Sequence, residues 1–183
     1  MAAGNGSCTV RVDGPNSRHA VLLLPGLGDS VDVYDDVCER LHSSELRTFA
    51  VESVAGLGED AMIGLLDELK LGWVNLVGSG EGADLAWLLA ARTFGRFASL
   101  VVADSAHPGV AGPRGNPQVS SCPAVELPTT VLIGKSTPRS CAEESGRRVF
   151  ADFRIVELAD VDNVPAQAGA EMASEIVLRT SSW

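Results

Sequence analysis

The segment from residue 73 to residue 84 constrains the fold of this chain most strongly. It has the pattern of a buried strand over 74–77, a glycine-rich turn, and a helix over 81–94. Three glycines surround the turn: Gly78, Gly80 and Gly82. Glycines at this spacing allow the backbone to bend sharply and let the helix pack closely on the strand. The segment therefore predicts a tight strand–turn–helix unit.

The rest of the chain repeats this alternation of strands and helices. The predicted strands are 7–12, 19–24, 48–51, 74–77, 99–103, 129–134 and 154–158. The predicted helices are 31–41, 58–69, 81–94, 141–150 and 166–178. Such alternation predicts one α/β domain over residues 1–183. We expect a mostly parallel sheet of about six to eight strands with helices on both faces.

Composition excludes several classes of function. The net charge of −10 disfavours binding to nucleic acid and to anionic membranes. The longest apolar runs are too short to span a bilayer, and the N-terminus lacks the pattern of a signal peptide, so we expect a cytoplasmic protein. The four cysteines form no C-x-x-C motif, so we expect no metal site, and no cofactor is implied.

The order of the motifs resembles a minimal α/β-hydrolase over roughly residues 19–180. The loop from Pro25 to Gly28 resembles the family's His-Gly-x-Gly, with proline in place of histidine. The segment 78–82 resembles the G-x-S-x-G turn that carries the nucleophile, and Gly80 stands at the position of the serine. The segment 128–138 resembles the strand that ends in Gly-x-x-Asp-Pro, with Thr137 in place of the acid. The segment 104–128 is too short for the lid that the family usually carries, so we expect a lidless fold.

The histidine of the triad corresponds best to Asn163, and less well to Asp162. A serine hydrolase needs a nucleophile, a base and an orienting acid, and none of these stands at its usual position here. The resemblance therefore implies a degenerate triad and a pseudo-hydrolase that binds a small-molecule ligand or a protein partner. An enzyme that uses the cleft without a covalent intermediate, such as a lyase or an isomerase, is a variant of this interpretation.

The resemblance also implies what remains of the site. In the family, one oxyanion-hole N–H comes from the residue after the nucleophile and the other from the loop after the first main strand. Those donors correspond to the N–H groups of Glu81 and Leu27, with Gly26 allowing close approach. We expect both N–H groups to point into the cleft. The Glu81 carboxylate is the group that could fill the hole.

Two alternatives stay open. An active esterase or thioesterase would need displaced catalytic residues, for which Ser79, Ser105 and His107 are the candidates, with Asp104 at an acid position that some family members use. The simpler interpretation of these residues is an ordinary polar turn and loop.

The second alternative is a dinucleotide-binding turn, because residues 78–83 also fit G-x-G-x-x-A, ending at Ala83. In that case Asp104 would end the next strand and contact the ribose. Its separation from Gly78 exceeds the usual spacing of about 20 residues, and Glu81 would face the phosphates.

Overall fold

The structure is a computed structural model that describes residues 8–113 and 115–180. Within these residues the strands are β1 Val10–Asp13, β2 Ala20–Leu24, β3 Arg47–Val51, β4 Val74–Ser79, β5 Phe97–Ala103, β6 Thr129–Ile133 and β7 Phe153–Glu157. The helices are α1 Asp35–Ser43, α2 Glu59–Glu68, α3 Glu81–Arg92, α4 Arg139–Gly146, α5 Val164–Gln167 and α6 Gly169–Thr180, and a 3-10 helix at Val31–Tyr34 precedes α1.

The seven strands described form one sheet in the order β1-β3-β2-β4-β5-β6-β7. All neighbouring strands are parallel except β1, which pairs with β3 in the antiparallel sense. The predicted α/β class and the mostly parallel sheet are therefore confirmed. The described part of the segment 104–128 forms isolated bridges but no helix or strand, so this part of the chain contains no cap domain.

Several boundaries differ from the predictions. The first predicted strand begins at Ser7, outside the described residues, and the strand seen there is Val10–Asp13. The predicted helix 31–41 is split into a 3-10 helix and α1. The predicted helix 166–178 begins two residues earlier, and the chain leaves the helical conformation at Ala168, which separates α5 from α6.

Two apolar layers cover the sheet because its parallel strands are buried on both faces. One layer combines Leu22, Leu76 and Leu100 of the sheet with buried side chains of α2 and α3, including Met62 and Trp87. The other layer covers the opposite face. Its members include Leu23, Val77 and Val101 from the sheet, Tyr34 from the 3-10 helix, Leu41 from α1 and Met172 from α6.

The strand order has its switch point between β2 and β4. These strands are neighbours in the sheet, but the chain leaves β2 toward β3 on one side and leaves β4 toward β5 on the other. The helices that follow them, α1 and α3, pack on opposite faces. Ligands of open α/β sheets bind in the crevice at such a switch point, outside the carboxyl ends of the strands. Topology alone therefore directs attention to the loop after β2 and the turn after β4.

Candidate functional site at the carboxyl ends of strands 2 and 4

The turn between β4 and α3 is a sharp elbow centred on Gly80. Its dihedral angles are φ 55° and ψ −126°, in a region that glycine adopts readily and other residues avoid. The Gly80 N–H donates to the carbonyl of Ala103 at 3.1 Å, and α3 begins at the next residue. A Cβ built on Gly80 would lie 3.4 Å from the Gly26 Cα, over the loop that follows β2. The elbow therefore aims its central position at the crevice, where glycine presents no functional group.

The two flanking glycines let α3 approach the sheet. A Cβ on Gly78 would lie 2.6 Å from the Gly82 carbonyl oxygen and 2.7 Å from the Ala83 backbone. A Cβ on Gly82 would collide with the carbonyl oxygens of Leu24 and Pro25 at the end of β2. All of these Cβ distances are shorter than those that real Cβ atoms show. The glycine frame thus locks the start of α3 against two neighbouring strands.

The loop after β2 donates a hydrogen bond to the elbow. The Leu27 N–H donates to Oε2 of Glu81 at 2.8 Å, a contact that spans 54 residues of sequence. The resemblance implies that this N–H points into the cleft as an oxyanion-hole donor. The Glu81 carboxylate occupies it instead, because the first residue of α3 lies directly beside the loop. The anticipated obstruction by Glu81 is present in the structure.

A second carboxylate lies beside the first. A Cβ on Gly26 would be 2.9 Å from Oδ2 of Asp29 and 3.5 Å from Oε2 of Glu81. Asn163 reaches the same loop, and its Nδ2 lies 3.4 Å from Oδ2 of Asp29. Its Oδ1 accepts from the Ala166 N–H at 3.3 Å and caps α5. Asn163 therefore lies beside the loop after β2, and its amide has no basic nitrogen with which to accept a proton.

The residue that the resemblance assigns to the position of the acid, Thr137, contacts a carboxylate. The Thr137 hydroxyl donates to Oδ1 of Asp104 at 3.0 Å, and the Gly134 N–H donates to the same oxygen at 2.9 Å. Asp104 has φ 53°, so the chain turns directly after β5. The carboxylate bridges the carboxyl ends of β5 and β6, and Thr137 is one of its donors. An acid is thus present beside the expected position, bound by local donors.

Ser79 lies under the elbow and not in the crevice. Strand side chains alternate between faces, so Ser79 shares a face with Val77, toward α1 and α6. Its side chain is buried, and its Oγ lies 3.0 Å from the hydroxyl of Tyr34, which donates to the Leu24 carbonyl at 2.8 Å. Burial raises the pKa of Tyr34 above its ordinary value. The Ser79 hydroxyl is therefore buried and bonded to Tyr34, and its role as a substitute nucleophile stays a prediction.

Ser105 and His107 are buried and bonded to other groups. The Ser105 hydroxyl donates to Oδ1 of Asp84 on α3 at 2.5 Å. The Gly109 N–H donates to Nδ1 of His107 at 2.9 Å, which leaves Nε2 as the protonated nitrogen, and Nε2 donates to the Pro123 carbonyl at 2.7 Å. Burial lowers the pKa of His107. The predicted substitutes therefore form no serine–histidine pair with one another.

Three residues that contact the site residues were not predicted from sequence: Tyr34, Asp84 and Asp29. Asp84 lies one helical turn after Glu81, so the sequence pattern predicts its place on α3. Its partner Ser105 lies in a loop without periodicity, so the contact between them could not be predicted. Asp29 belongs to an acidic stretch that resembles a solvated helix start. No local signal identifies Tyr34 as a partner of Ser79, because the contact requires the packing of the 3-10 helix under the sheet.

Residues 8–113 and 115–180 contain no group of three or more histidine, cysteine, aspartate or glutamate side chains placed to hold a metal ion. Among the same residues, every helix is too short or too polar to cross a bilayer.

No protein-family model matches the sequence, and no curated protein matches it. Solved structures resemble it in fold. The enol-lactonase from Burkholderia xenovorans LB400 has a TM-score of 0.78 at 16% identity, over 99% of each chain. The epoxide hydrolase VrEH1 from Vigna radiata has a TM-score of 0.75 at 12% identity, over 95% of this chain and 94% of its own. Epoxide Hydrolase A from Mycobacterium thermoresistibile has a TM-score of 0.72 at 12% identity, over 94% of this chain and 95% of its own. The chain therefore has the α/β-hydrolase fold, as its motif order implied.

Proposed function

We propose that this protein is a non-hydrolytic member of the α/β-hydrolase fold that binds a ligand or a protein partner without a covalent intermediate. The observation that carries the proposal is Gly80 at the centre of a preserved elbow, with φ 55° and ψ −126°. Nucleophilic catalysis requires a side chain with a hydroxyl, thiol or carboxylate at that point. Glycine keeps the bend and supplies no nucleophile.

The residues around the crevice support the same interpretation. Asn163 offers an amide where a base is required, and its oxygen caps α5. Thr137 donates to Asp104 and orients no histidine through that bond. Both nitrogens of His107 take part in hydrogen bonds away from Ser105. The alternative of an active esterase or thioesterase would need these bonds to break before catalysis.

We infer that binding takes place at the switch-point crevice, between the loop after β2 and the start of α3. Fold alone does not fix function, so this inference rests on the topology and on the groups that line the crevice. A small molecule or a peptide segment of a partner could contact the exposed Leu27 side chain there.

A fluorophosphonate probe and short p-nitrophenyl esters test the absence of covalent chemistry. We expect no stoichiometric labelling and no turnover, with a known serine hydrolase as the positive control. Labelling, or turnover abolished by Ser79→Ala, Ser105→Ala or His107→Ala, would refute the proposal and support an active hydrolase. The location of binding is tested separately by amide chemical-shift mapping of any ligand. The largest chemical-shift changes should centre on Leu27 and Gly80. Changes confined to a distant surface would contradict the proposal that the crevice is the binding site.

A further inference from the structure

The bond between Leu27 and Glu81 has the geometry of a bound carboxylate ligand. Its N···O distance of 2.8 Å is typical of a charge-assisted hydrogen bond, which is stronger than a neutral one. The donor is a loop N–H at the crevice, where the resemblance places one half of an oxyanion hole. The acceptor is a carboxylate supplied by the chain itself.

The backbone on both sides of this bond is fixed. Glu81 is the first residue of α3, and Gly82 holds that end of the helix against the backbone of Leu24 and Pro25. On the other side, the Asp29 N–H donates to the Gly26 carbonyl at 3.0 Å and closes the loop that carries Leu27. The Glu81 side chain therefore needs little reorganisation to reach the donor.

An external anion would meet two obstacles. It would have to displace the Glu81 carboxylate from the Leu27 N–H, and it would then lie close to the charge of Asp29, whose Oδ2 is 2.9 Å from the Cβ position of Gly26. Occupancy and repulsion are separable effects. A neutral glutamine can still occupy the donor, whereas an alanine cannot.

We propose that Glu81 is an internal occupant of the oxyanion-hole donor at Leu27 and thereby excludes carboxylates and oxyanions from the crevice. This inference rests on the proposed function in taking the crevice as the binding site, and it narrows the ligand class to molecules that do not need that donor. Removing the occupant creates an anion site that the natural protein lacks.

The test is a titration of ¹⁵N-labelled full-length protein with sodium acetate, against sodium chloride at equal ionic strength, following the Leu27 amide. Glu81→Ala removes occupant and charge. Glu81→Gln keeps the occupant and removes the charge. Asp29→Asn removes the neighbouring charge and leaves the Leu27 bond intact. We expect a saturable shift of the Leu27 amide in Glu81→Ala, and none in wild type, Glu81→Gln or Asp29→Asn.

Equal acetate affinity in Glu81→Ala and Glu81→Gln would show that the charge of Glu81, and not its occupancy of the Leu27 N–H, excludes anions. An unchanged Leu27 amide in Glu81→Ala would overturn the proposal altogether, and Glu81→Ser provides a second variant if the alanine protein does not fold. Fluorophosphonate labelling of wild type would refute the non-hydrolytic proposal and still leave the Leu27 titration interpretable. The two failures are therefore distinguishable.

Discussion

Replacing Gly82 by alanine should disrupt the contact that positions the crevice. The added Cβ would meet Leu24 C at 2.6 Å and lie still closer to the carbonyl oxygens of Leu24 and Pro25. All three atoms are backbone atoms of the strand end, so no side-chain rotation can relieve the collision. Overpacking of a buried site costs about 1–3 kcal/mol and occasionally more. We expect Gly82→Ala to lower the free energy of unfolding by about 3 kcal/mol, at the upper end of this range.

Gly64 provides a matched control, because it is also a helical glycine but has nothing within 4 Å of its Cβ position. Alanine in a helix interior is favoured over glycine by roughly 0.8–1.0 kcal/mol. Gly64→Ala should therefore stabilise the protein by about that amount. The two substitutions add the same methyl group and are expected to change stability in opposite directions.

Urea denaturation and thermal unfolding measure both effects. For a chain of this size, 1 kcal/mol corresponds to roughly 2–4 °C in Tm. Gly82→Ala should lower Tm by about 6–12 °C, and Gly64→Ala should raise it by about 2–4 °C. A Gly82→Ala protein as stable as wild type would refute the close packing of α3 on β2. If Gly64→Ala destabilises the protein, the difference in stability between the two variants does not measure packing alone.

Four further outcomes are expected. Tyr34→Phe should cost about 1–3 kcal/mol in urea denaturation, because it leaves the buried Leu24 carbonyl and Ser79 hydroxyl without their partner, whereas Ser79→Ala should cost less. Burial lowers the pKa of His107 in the folded protein, so below about pH 6.5 the unfolded state binds more protons than the folded state. The stability that neutral His107 contributes is therefore complete above that pH and is lost as pH falls. The slope of unfolding free energy against pH just below 6.5 should be smaller in His107→Gln. Gly80→Ala should destabilise the protein by about 1–3 kcal/mol through backbone strain, and a neutral result would contradict the dihedral angles given above. NAD(P) and FAD at millimolar concentration should leave Tm unchanged, and a saturable shift would revive the dinucleotide interpretation.

The fold was predictable because its signals are local and repeated. Each buried strand is a short apolar run, and each helix carries a stripe of apolar residues. The spacing of apolar residues along the sequence therefore predicts the order of strands and helices. The break at Ala168 was missed because the apolar stripe continues through it. The pairing of β1 with β3 also has no local signal, since it depends on which sheet edge remains open.

The motif order assigns the candidate residues to particular loops, but it does not predict their hydrogen bonds. Gly80, Thr137 and Asn163 could be placed because motif order fixes which loop each occupies. Their partners could not, since Asn163 meets Asp29 across 134 residues of sequence. The hydrogen-bond partners of the displaced candidates were not predictable for the same reason. Ser79 meets Tyr34 and Ser105 meets Asp84, and both contacts join residues that are distant in the sequence.

Gly80 and Glu81 are best understood together. In an enzyme, a non-glycine residue at these dihedral angles carries strain of about 1–3 kcal/mol, which is kept because the chemistry needs it. In this chain glycine stands at the centre of the elbow without that strain, and Gly78 and Gly82 permit the close packing around it. The bend places the start of α3 beside the Leu27 N–H, which donates to an acceptor there. Glu81 supplies one, and a carboxylate in that position would obstruct an oxyanion intermediate in any enzyme that formed one. The proposed function forms no oxyanion intermediate, so Gly80 and the Glu81 carboxylate are compatible with each other under that proposal.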